Sequence, residues 1–323
     1  MRRIAIIAGG DSSEMPVSLR SAAAVCKSLD KSKFLPTIVS LSSNGWFVDK
    51  SPIDKNDFSY LDEHGVRVKF DYALIMIHGT PGENGILQGY FELLGIPYSG
   101  CSVEVSALTF NKHLCKVAVS GVNGVNLAKQ VYLRRGDKVD AQDVISALGL
   151  PLFVKPNASG SSFGVTKVKG VEYLLPAVAA AFTESEAVLM EEFIDGTEVS
   201  QGVMVVGGKE YVLPITELVS KNEFFDYQAK YTPGMTNEIT PARIPIEVAA
   251  EISKTTLEIY KTLGCCGVVR VDYIIKGSKA YFIEVNTVPG MSEASIVPRQ
   301  LSTIGMTMGQ AFELIITEKL LLS

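Results

Sequence analysis

Val268-Val269-Arg270-Val271-Asp272-Tyr273 and, a short turn later, Phe282-Ile283-Glu284-Val285-Asn286 carry the reading of the fold. Both are short segments rich in branched and aromatic residues, the composition of two strands that bury one face. Alternation puts Arg270 and Asp272 on one face of the first strand, with Val269, Val271 and Tyr273 on the other. Glu284 and Asn286 likewise share a face of the second. Carboxylate and amide oxygens gathered at strand ends suit a hard cation such as Mg²⁺, although a solvated strand face is the plainer reading of the same residues. Register separates the two. A two-residue Gly277-Ser278 turn puts Glu284 opposite Val271, off the Asp272 face. A three-residue loop, Gly277–Lys279, puts Glu284 opposite Asp272 and Asn286 opposite Arg270. The metal reading therefore predicts the three-residue loop.

Working outward, a helix over Ile246–Leu263 precedes these strands and a final helix covers Thr307–Leu321. Glu198–Val206 and Glu210–Thr216 are β-rich. The middle of the chain reads as a small mixed α+β unit, with strands at Lys129–Leu133, Leu152–Lys155, Gly164–Val168 and Ala187–Glu192 and a helical pattern over Glu172–Phe182. At the N-terminus, Ile4–Ala8 is an apolar run ended by Gly9-Gly10, a buried strand. Pro16 then stands in a helix's first turn, followed by apolar residues at helical spacing through Leu29. Further strands at Pro36–Leu41 and Ala73–Ile77 and a helix over Glu83–Leu94 complete an alternation that predicts a parallel sheet with helices on both faces, closing near Ser99-Gly100; a helix over about Val103–Ser120 follows. The fold class is thus α/β, in three compact units.

Composition excludes several functions. The 323 residues are 47% hydrophobic and 20% charged, too apolar for disorder and long enough for two or three domains. A net charge of −5 without Lys/Arg clusters argues against nucleic acid as partner. No apolar run approaches the roughly 18–20 residues of a membrane span, and the Ile4–Ala8 block is too short for a signal peptide. Cysteines 26, 101, 115, 265 and 266 show no CxxC spacing, which points to a reduced compartment, the cytoplasm, and no zinc.

Other segments carry chemistry. Lys155-Pro156-Asn157-Ala158-Ser159-Gly160-Ser161-Ser162-Phe163-Gly164 joins two strands, and its small residues let backbone N–H groups approach phosphate oxygens beside the Lys155 charge. It is not a P-loop, since no Lys-Ser/Thr and no helix follow; a hairpin tip is the bland alternative. Gly9–Glu14 joins a strand to a helix start, a setting that favours anions, but GxGxxG is absent. His78-Gly79-Thr80-Pro81-Gly82-Glu83-Asn84-Gly85 follows a strand's carboxyl end, where open α/β sheets bind ligands. There is no GxSxG and no Ser-His-Asp set. Asn222–Tyr231, aromatic yet polar, reads as a lid or binding loop.

Taken in order, Glu14 with Val17-Ser18, His78-Gly79 with Gly82–Gly85, Lys155-Pro156 with Gly160-Ser161-Ser162, Tyr227 with Lys230-Tyr231, Arg270-Val271-Asp272, and Glu284-Val285-Asn286-Thr287-Val288-Pro289-Gly290-Met291 closely resemble the D-alanine–D-alanine ligases of the ATP-grasp superfamily. The similarity runs through nearly the whole chain. It implies an N-terminal Rossmann-like, substrate-binding domain (1–105), a central ATP-grasp domain (106–190) and a C-terminal ATP-grasp domain with the metal site (191–323). It implies a reaction: ATP phosphorylates the carboxylate of one D-alanine, and the amine of a second displaces phosphate, for peptidoglycan and cell-wall synthesis. Transfer between two anions needs cations to neutralise developing charge.

The resemblance also implies roles. Asp272, Glu284 and Asn286 would hold two Mg²⁺ ions, with Mn²⁺ as a substitute. Arg270 and the Gly290 N–H would stabilise the transferring phosphoryl group and the tetrahedral oxyanion. Lys112, Lys155 and Lys230 would contact ATP phosphates, and Glu191, Glu192, Ile194 and Glu198, with Phe224, would line the adenine and ribose. Glu14, linked through Ser161 to Tyr231, would bind the first ammonium; Val17, Ser18 and His78 would lie about the first substrate, and Ser295 and Ile296 would receive the second carboxylate. Tyr231 goes with dipeptide synthesis, where Phe accompanies D-lactate ligases; another carboxylate–amine ligase using D-lactate or D-serine is the alternative. The chain departs from the pattern at Glu192, Ala294 and Asn111. D-Alanine and ATP are the implied partners, and a homodimer the implied assembly.

Overall fold

A computed structural model describes residues 1–12, 14–160, 163–220 and 236–322. Ser161, Phe224, Lys230 and Tyr231, all assigned roles above, and the whole Asn222–Tyr231 segment read as a lid lie outside the described residues. The N-terminal part contains β1 (Arg2–Gly9), α1 (Met15–Ser28), β2 (Phe34–Ser42), β3 (Gly45–Val48), β4 (Ser51–Pro52), a two-stranded excursion of β5 (Tyr60–Leu61) and β6 (Arg67–Val68), β7 (Tyr72–Ile75) and α2 (Ile86–Leu94). Its sheet runs β4-β3-β2-β1-β7. Only β2, β1 and β7 are parallel; β3 and β4 return antiparallel. β1 is the central parallel strand, which is why Ile4–Ala8 is an unbroken buried run.

Next come α3 (Val103–Phe110), α4 (Lys112–Val119), β8 (Gln130–Arg134), α5 (Ala141–Leu148), β9 (Leu152–Pro156), β10 (Thr166–Val168), α6 (Leu174–Glu184) and β11 (Ala187–Glu192). β10-β9-β11-β8 form an antiparallel sheet. The single helix expected over Val103–Ser120 is broken at Asn111. Its backbone is extended (φ −86, ψ 100), so its side chain caps α4 by accepting from Leu114 N–H at 3.0 Å. Helix α5, not foreseen above, starts the same way, with Asp140 accepting from Gln142 and Asp143.

The last part holds β12 (Thr197–Val206), β13 (Lys209–Val212), β14 (Thr216–Ser220), β15 (Thr236–Ile239), α7 (Ile246–Thr262), β16 (Val269–Lys276), β17 (Lys279–Asn286), α8 (Ile296–Thr303) and α9 (Met308–Leu322). Its sheet runs β15-β14-β12-β16-β17, with β13 on β12. Val269, Val271 and Tyr273 face an apolar cluster with α7, α3 and α4. A second cluster joins α1 to α9 through Val25, Phe312, Ile315 and Ile316, so the first and last helices share a core.

The β16–β17 register holds a correction. Lys276 pairs with Lys279, so the turn has two residues, not three. Asp272 nevertheless lies opposite Glu284 and Arg270 opposite Asn286, because a bulge shifts the register between Tyr273–Phe282 and Asp272–Glu284. Ile283 is the extra residue. A bulge inserts one residue into one strand, doing what the longer loop would have done.

Candidate active site

The site forms at the carboxyl ends of β1 and β7, where open α/β sheets bind ligands. Buried Glu14 stands at the position just before α1 without capping it through its side chain. Its carboxylate lies between two glycines: a Cβ at Gly160 would come within 2.5 Å of Oε2, and one at Gly79 within 3.3 Å. His78, also buried, shares a 2.8 Å hydrogen bond between Nδ1 and the Val288 carbonyl oxygen. A carbonyl accepts only, so Nδ1 carries the proton, and Nε2 has no partner among the described residues. Burial holds the imidazole below its ordinary pKa; Glu14 opposes that shift and Arg270 reinforces it. Glu83 accepts from Gly79 N–H (2.7 Å) and Val288 N–H (3.1 Å). Burial, then the Glu14 charge, raises its pKa to about 7.

Arg270 and Asp272, two apart on β16, make a two-pronged ion pair: Nε donates to Oδ1 at 2.9 Å and a terminal nitrogen to Oδ2 at 2.8 Å. Asn286 Nδ2 donates to Asp272 Oδ2 at 2.9 Å, and the Ser200 hydroxyl donates to Oδ1. The Asn286 carbonyl oxygen is thus the part left to meet a cation. Glu284 pairs with Lys112 at 3.4 Å, and Lys112 also donates to the Ser159 carbonyl oxygen at 2.8 Å. That lysine ties the Gly160 loop to β17. Asn157 completes the tie: its carbonyl and amide oxygens accept from Lys112 and His113 N–H, both at 2.9 Å. Among the described residues no group of three or more His, Cys, Asp or Glu side chains is gathered for a metal ion. The oxygen face here is two carboxylates and an amide.

A second charged group lies on β9 and β11. Glu191 is buried between Lys116 of α4, which donates to Oε1, and Lys155, which donates to Oε2 at 2.7 Å. Burial, then the Lys155 charge, pulls the Lys116 ammonium well below its ordinary pKa. The neighbouring Glu192, on the opposite face of β11, accepts instead from Lys129 N–H at 2.8 Å. Ile194 is buried just past β11, and Glu198 lies on β12 between Leu218 and Ile274.

The remaining expected residues fall into two groups. Gly290 and Ser295 are neighbours, since a Cβ at Gly290 would meet Ser295 Oγ at 3.0 Å; Ser295 immediately precedes α8 and Ile296 starts it, buried. Ser18 accepts from Gly9 N–H at 2.9 Å and so closes the end of β1, with Val17 half-buried beside it. Sequence reasoning passed over Lys116, Ser200 and Glu83 as side chains with partners. Lys116 had a signal, being four residues from Lys112 on one helix face. Ser200 had none: it reaches Asp272 only because β12 pairs with β16, Ser200 opposite Asp272.

Comparison with known proteins gives one answer. Family models described as the N-terminus and C-terminus of D-ala D-ala ligase match residues 3–101 and 120–317. A D-alanine–D-alanine ligase of Phocaeicola vulgatus is 50% identical over 98% of this chain and 99% of its own. Among solved structures, a D-alanine–D-alanine ligase of Bacillus anthracis complexed with ATP superposes with a TM-score of 0.79 at 31% identity, covering all of this chain and 98% of that one. A D-Ala:D-Ser ligase of Enterococcus faecalis gives 0.85 at 34% identity, covering 98% and 99%.

Proposed function

The chain belongs to the D-alanine–D-alanine ligase family, and from that premise we propose that it joins two D-alanines into the dipeptide, converting ATP to ADP and phosphate. The observation that carries the reading is the convergence of the Glu14–His78 pocket with the Arg270–Asp272–Glu284–Asn286 face at one site. The first holds an amino acid and the second suits phosphoryl transfer. D-Alanine is favoured over D-serine as second substrate because the relative at 50% identity is named for D-alanine, against 34% for the D-Ala:D-Ser ligase. Tyr231 supports the same choice over D-lactate.

The donor set fits Mg²⁺. Asp272, Glu284 and the Asn286 carbonyl oxygen are hard oxygen ligands facing one way, and they would hold the metal, or Mn²⁺ in its place. Bound there, the cation would neutralise phosphate charge. The Asp272 carboxylate accepts from Ser200, Asn286 and Arg270, which hold it in place on that face.

The chain's own residues do the rest. Glu14, with the carboxylate between two glycines, holds the first ammonium, and the family resemblance gives Ser161 and Tyr231 a part in the same contact. A carboxylate is a poor electrophile, and phosphorylation gives it a leaving group. Lys112, Lys155 and Lys230 supply positive charge along the phosphates, with Glu191, Glu192, Ile194, Glu198 and Phe224 on the nucleoside side. The second amine then attacks the acyl phosphate, Arg270 and the Gly290 N–H receive the oxyanion, and phosphate departs. Val17, Ser18, His78, Ser295 and Ile296 shape the two amino-acid subsites.

We place the enzyme in the cytoplasm, in cell-wall precursor synthesis, as a homodimer of three-domain chains divided at 105/106 and 190/191. Among the described residues no helix is long and apolar enough to cross a membrane. The test is product analysis with ATP, Mg²⁺ and D-alanine alone or with D-serine, D-lactate or L-alanine. D-Alanyl-D-alanine as the dominant product supports the reading. A dominant D-Ala–D-Ser or D-Ala–D-lactate product overturns its second-substrate assignment.

A further inference from the structure

We infer that Glu83 is a positioning residue: with His78 it grips Val288 by both its backbone N–H and its C=O, and so sets Asn286 and Gly290 against the first-substrate pocket. The inference rests on the ligase reading for what is positioned, but the grip itself is geometric. Val288 N–H donates to Glu83 Oε1 at 3.1 Å, and Val288 C=O pairs with His78 Nδ1 at 2.8 Å. One residue just past the end of the last sheet is thus held at both its backbone polar groups by one loop of the first part. Val288 lies midway between Asn286, on the oxygen face, and Gly290, whose N–H is assigned to the oxyanion.

The loop is built to present Glu83. Its N–H donates to the Gly79 carbonyl oxygen at 2.8 Å while its Oε2 accepts from Gly79 N–H at 2.7 Å, closing the turn on itself. The fold-back needs glycine at 82, where a Cβ would lie 2.0 Å from the Ile77 carbonyl oxygen. Gln88, fully buried on α2, braces the turn by donating to the Gly82 carbonyl oxygen at 2.7 Å. Past Val288, Met291 N–H donates to Ser21 Oγ on α1 at 3.0 Å, a second attachment of the same segment to the N-terminal part.

Two acceptor oxygens are required. Both oxygens accept from backbone N–H groups, and each is committed to a different donor. A glutamine turns its NH₂ against one of those N–H groups, so one of the two bonds is lost although shape is kept. An aspartate keeps the charge but falls one methylene short.

The experiment uses Glu83→Gln in the full chain, with Glu83→Asp carrying the same criteria should the first not fold. Amide hydrogen exchange over residues 286–291 reads the grip without the reaction. It is expected to quicken at least tenfold in the variant, and unchanged exchange overturns the grip. In dipeptide synthesis kcat/KM for D-alanine is expected to fall 10- to 100-fold with the ATP dissociation constant within threefold of wild type. Turnover within threefold of wild type, or equal losses of turnover and ATP affinity, overturns the positioning role. Absence of dipeptide from the wild-type chain overturns the ligase reading instead, and leaves the exchange result to decide the grip.

Discussion

Replacing Lys116 by Met tests how the Glu191 cluster is held. The Lys116 and Glu191 side chains are 3% and 5% exposed, and Lys155, 19% exposed, is the other partner of the same carboxylate. Methionine keeps the stem's packing and removes the charge. Breaking a buried ion pair by deleting one partner costs about 3–5 kcal/mol when the other is stranded. Here Lys155 still compensates Glu191 at 2.7 Å, so a loss below that range, about 2–3 kcal/mol, is expected. For a chain of this size that is roughly 3–4 °C in Tm. Glu191→Gln should cost more, because it strands two cations rather than one anion that retains a partner. Urea denaturation of both variants and the wild type gives the ranking. A loss below about 1 kcal/mol for Lys116→Met, or a smaller loss for Glu191→Gln than for Lys116→Met, would refute the charge-sharing argument.

Arg270→Ala should lower kcat by about 3–4 kcal/mol of transition-state stabilisation, roughly 10²–10³-fold, as loss of a preorganised oxyanion donor does; near-normal turnover would remove Arg270 from the chemistry. Ser200→Ala frees one Asp272 oxygen of its donor and should raise the Mg²⁺ concentration needed for half activity about tenfold or more, as outer partners of metal ligands do; an unchanged Mg²⁺ titration counts against Asp272 as a ligand. Tyr231→Phe should preserve ATP binding and move the second substrate toward hydroxy acids, read from product masses in D-alanine/D-lactate mixtures, with unchanged selectivity as the contrary result. Glu83 gives a pH prediction: its pKa rises on folding from 4.5 to about 7, chiefly through burial. The folded chain therefore holds that proton more tightly, so this group's contribution is full below pH 4.5 and is lost as pH climbs through 7. Urea midpoints at pH 5.5 and 8 should differ less in Glu83→Gln than in wild type; equal differences would contradict it.

Much of the site was legible because strand alternation is a local rule. Arg270 and Asp272 share a face, and Val269, Val271 and Tyr273 face the core, as spacing alone required. What spacing could not supply was the route to the register: a bulge at Ile283 costs one residue and leaves no mark in the pattern of apolar residues. The break at Asn111 was missed because helix periodicity continues across it, while the competing side-chain cap is worth more than one more helical residue. Non-local partners were out of reach. Ser200 meets Asp272, and Glu83 meets Val288, only through tertiary placement. His78 was placed by the strand-end rule, yet its proton position depends on a carbonyl 210 residues away.

The central claim is that an acyl phosphate of one D-alanine is captured by the amine of another. Incubating the protein with ATP, Mg²⁺ and D-alanine labelled with ¹⁸O in its carboxylate, then measuring dipeptide and the isotope content of released phosphate, tests it most directly. The account predicts one dipeptide per phosphate, one ¹⁸O carried into each phosphate, and neither signal with L-alanine. Phosphate without dipeptide, or dipeptide with unlabelled phosphate, would contradict it.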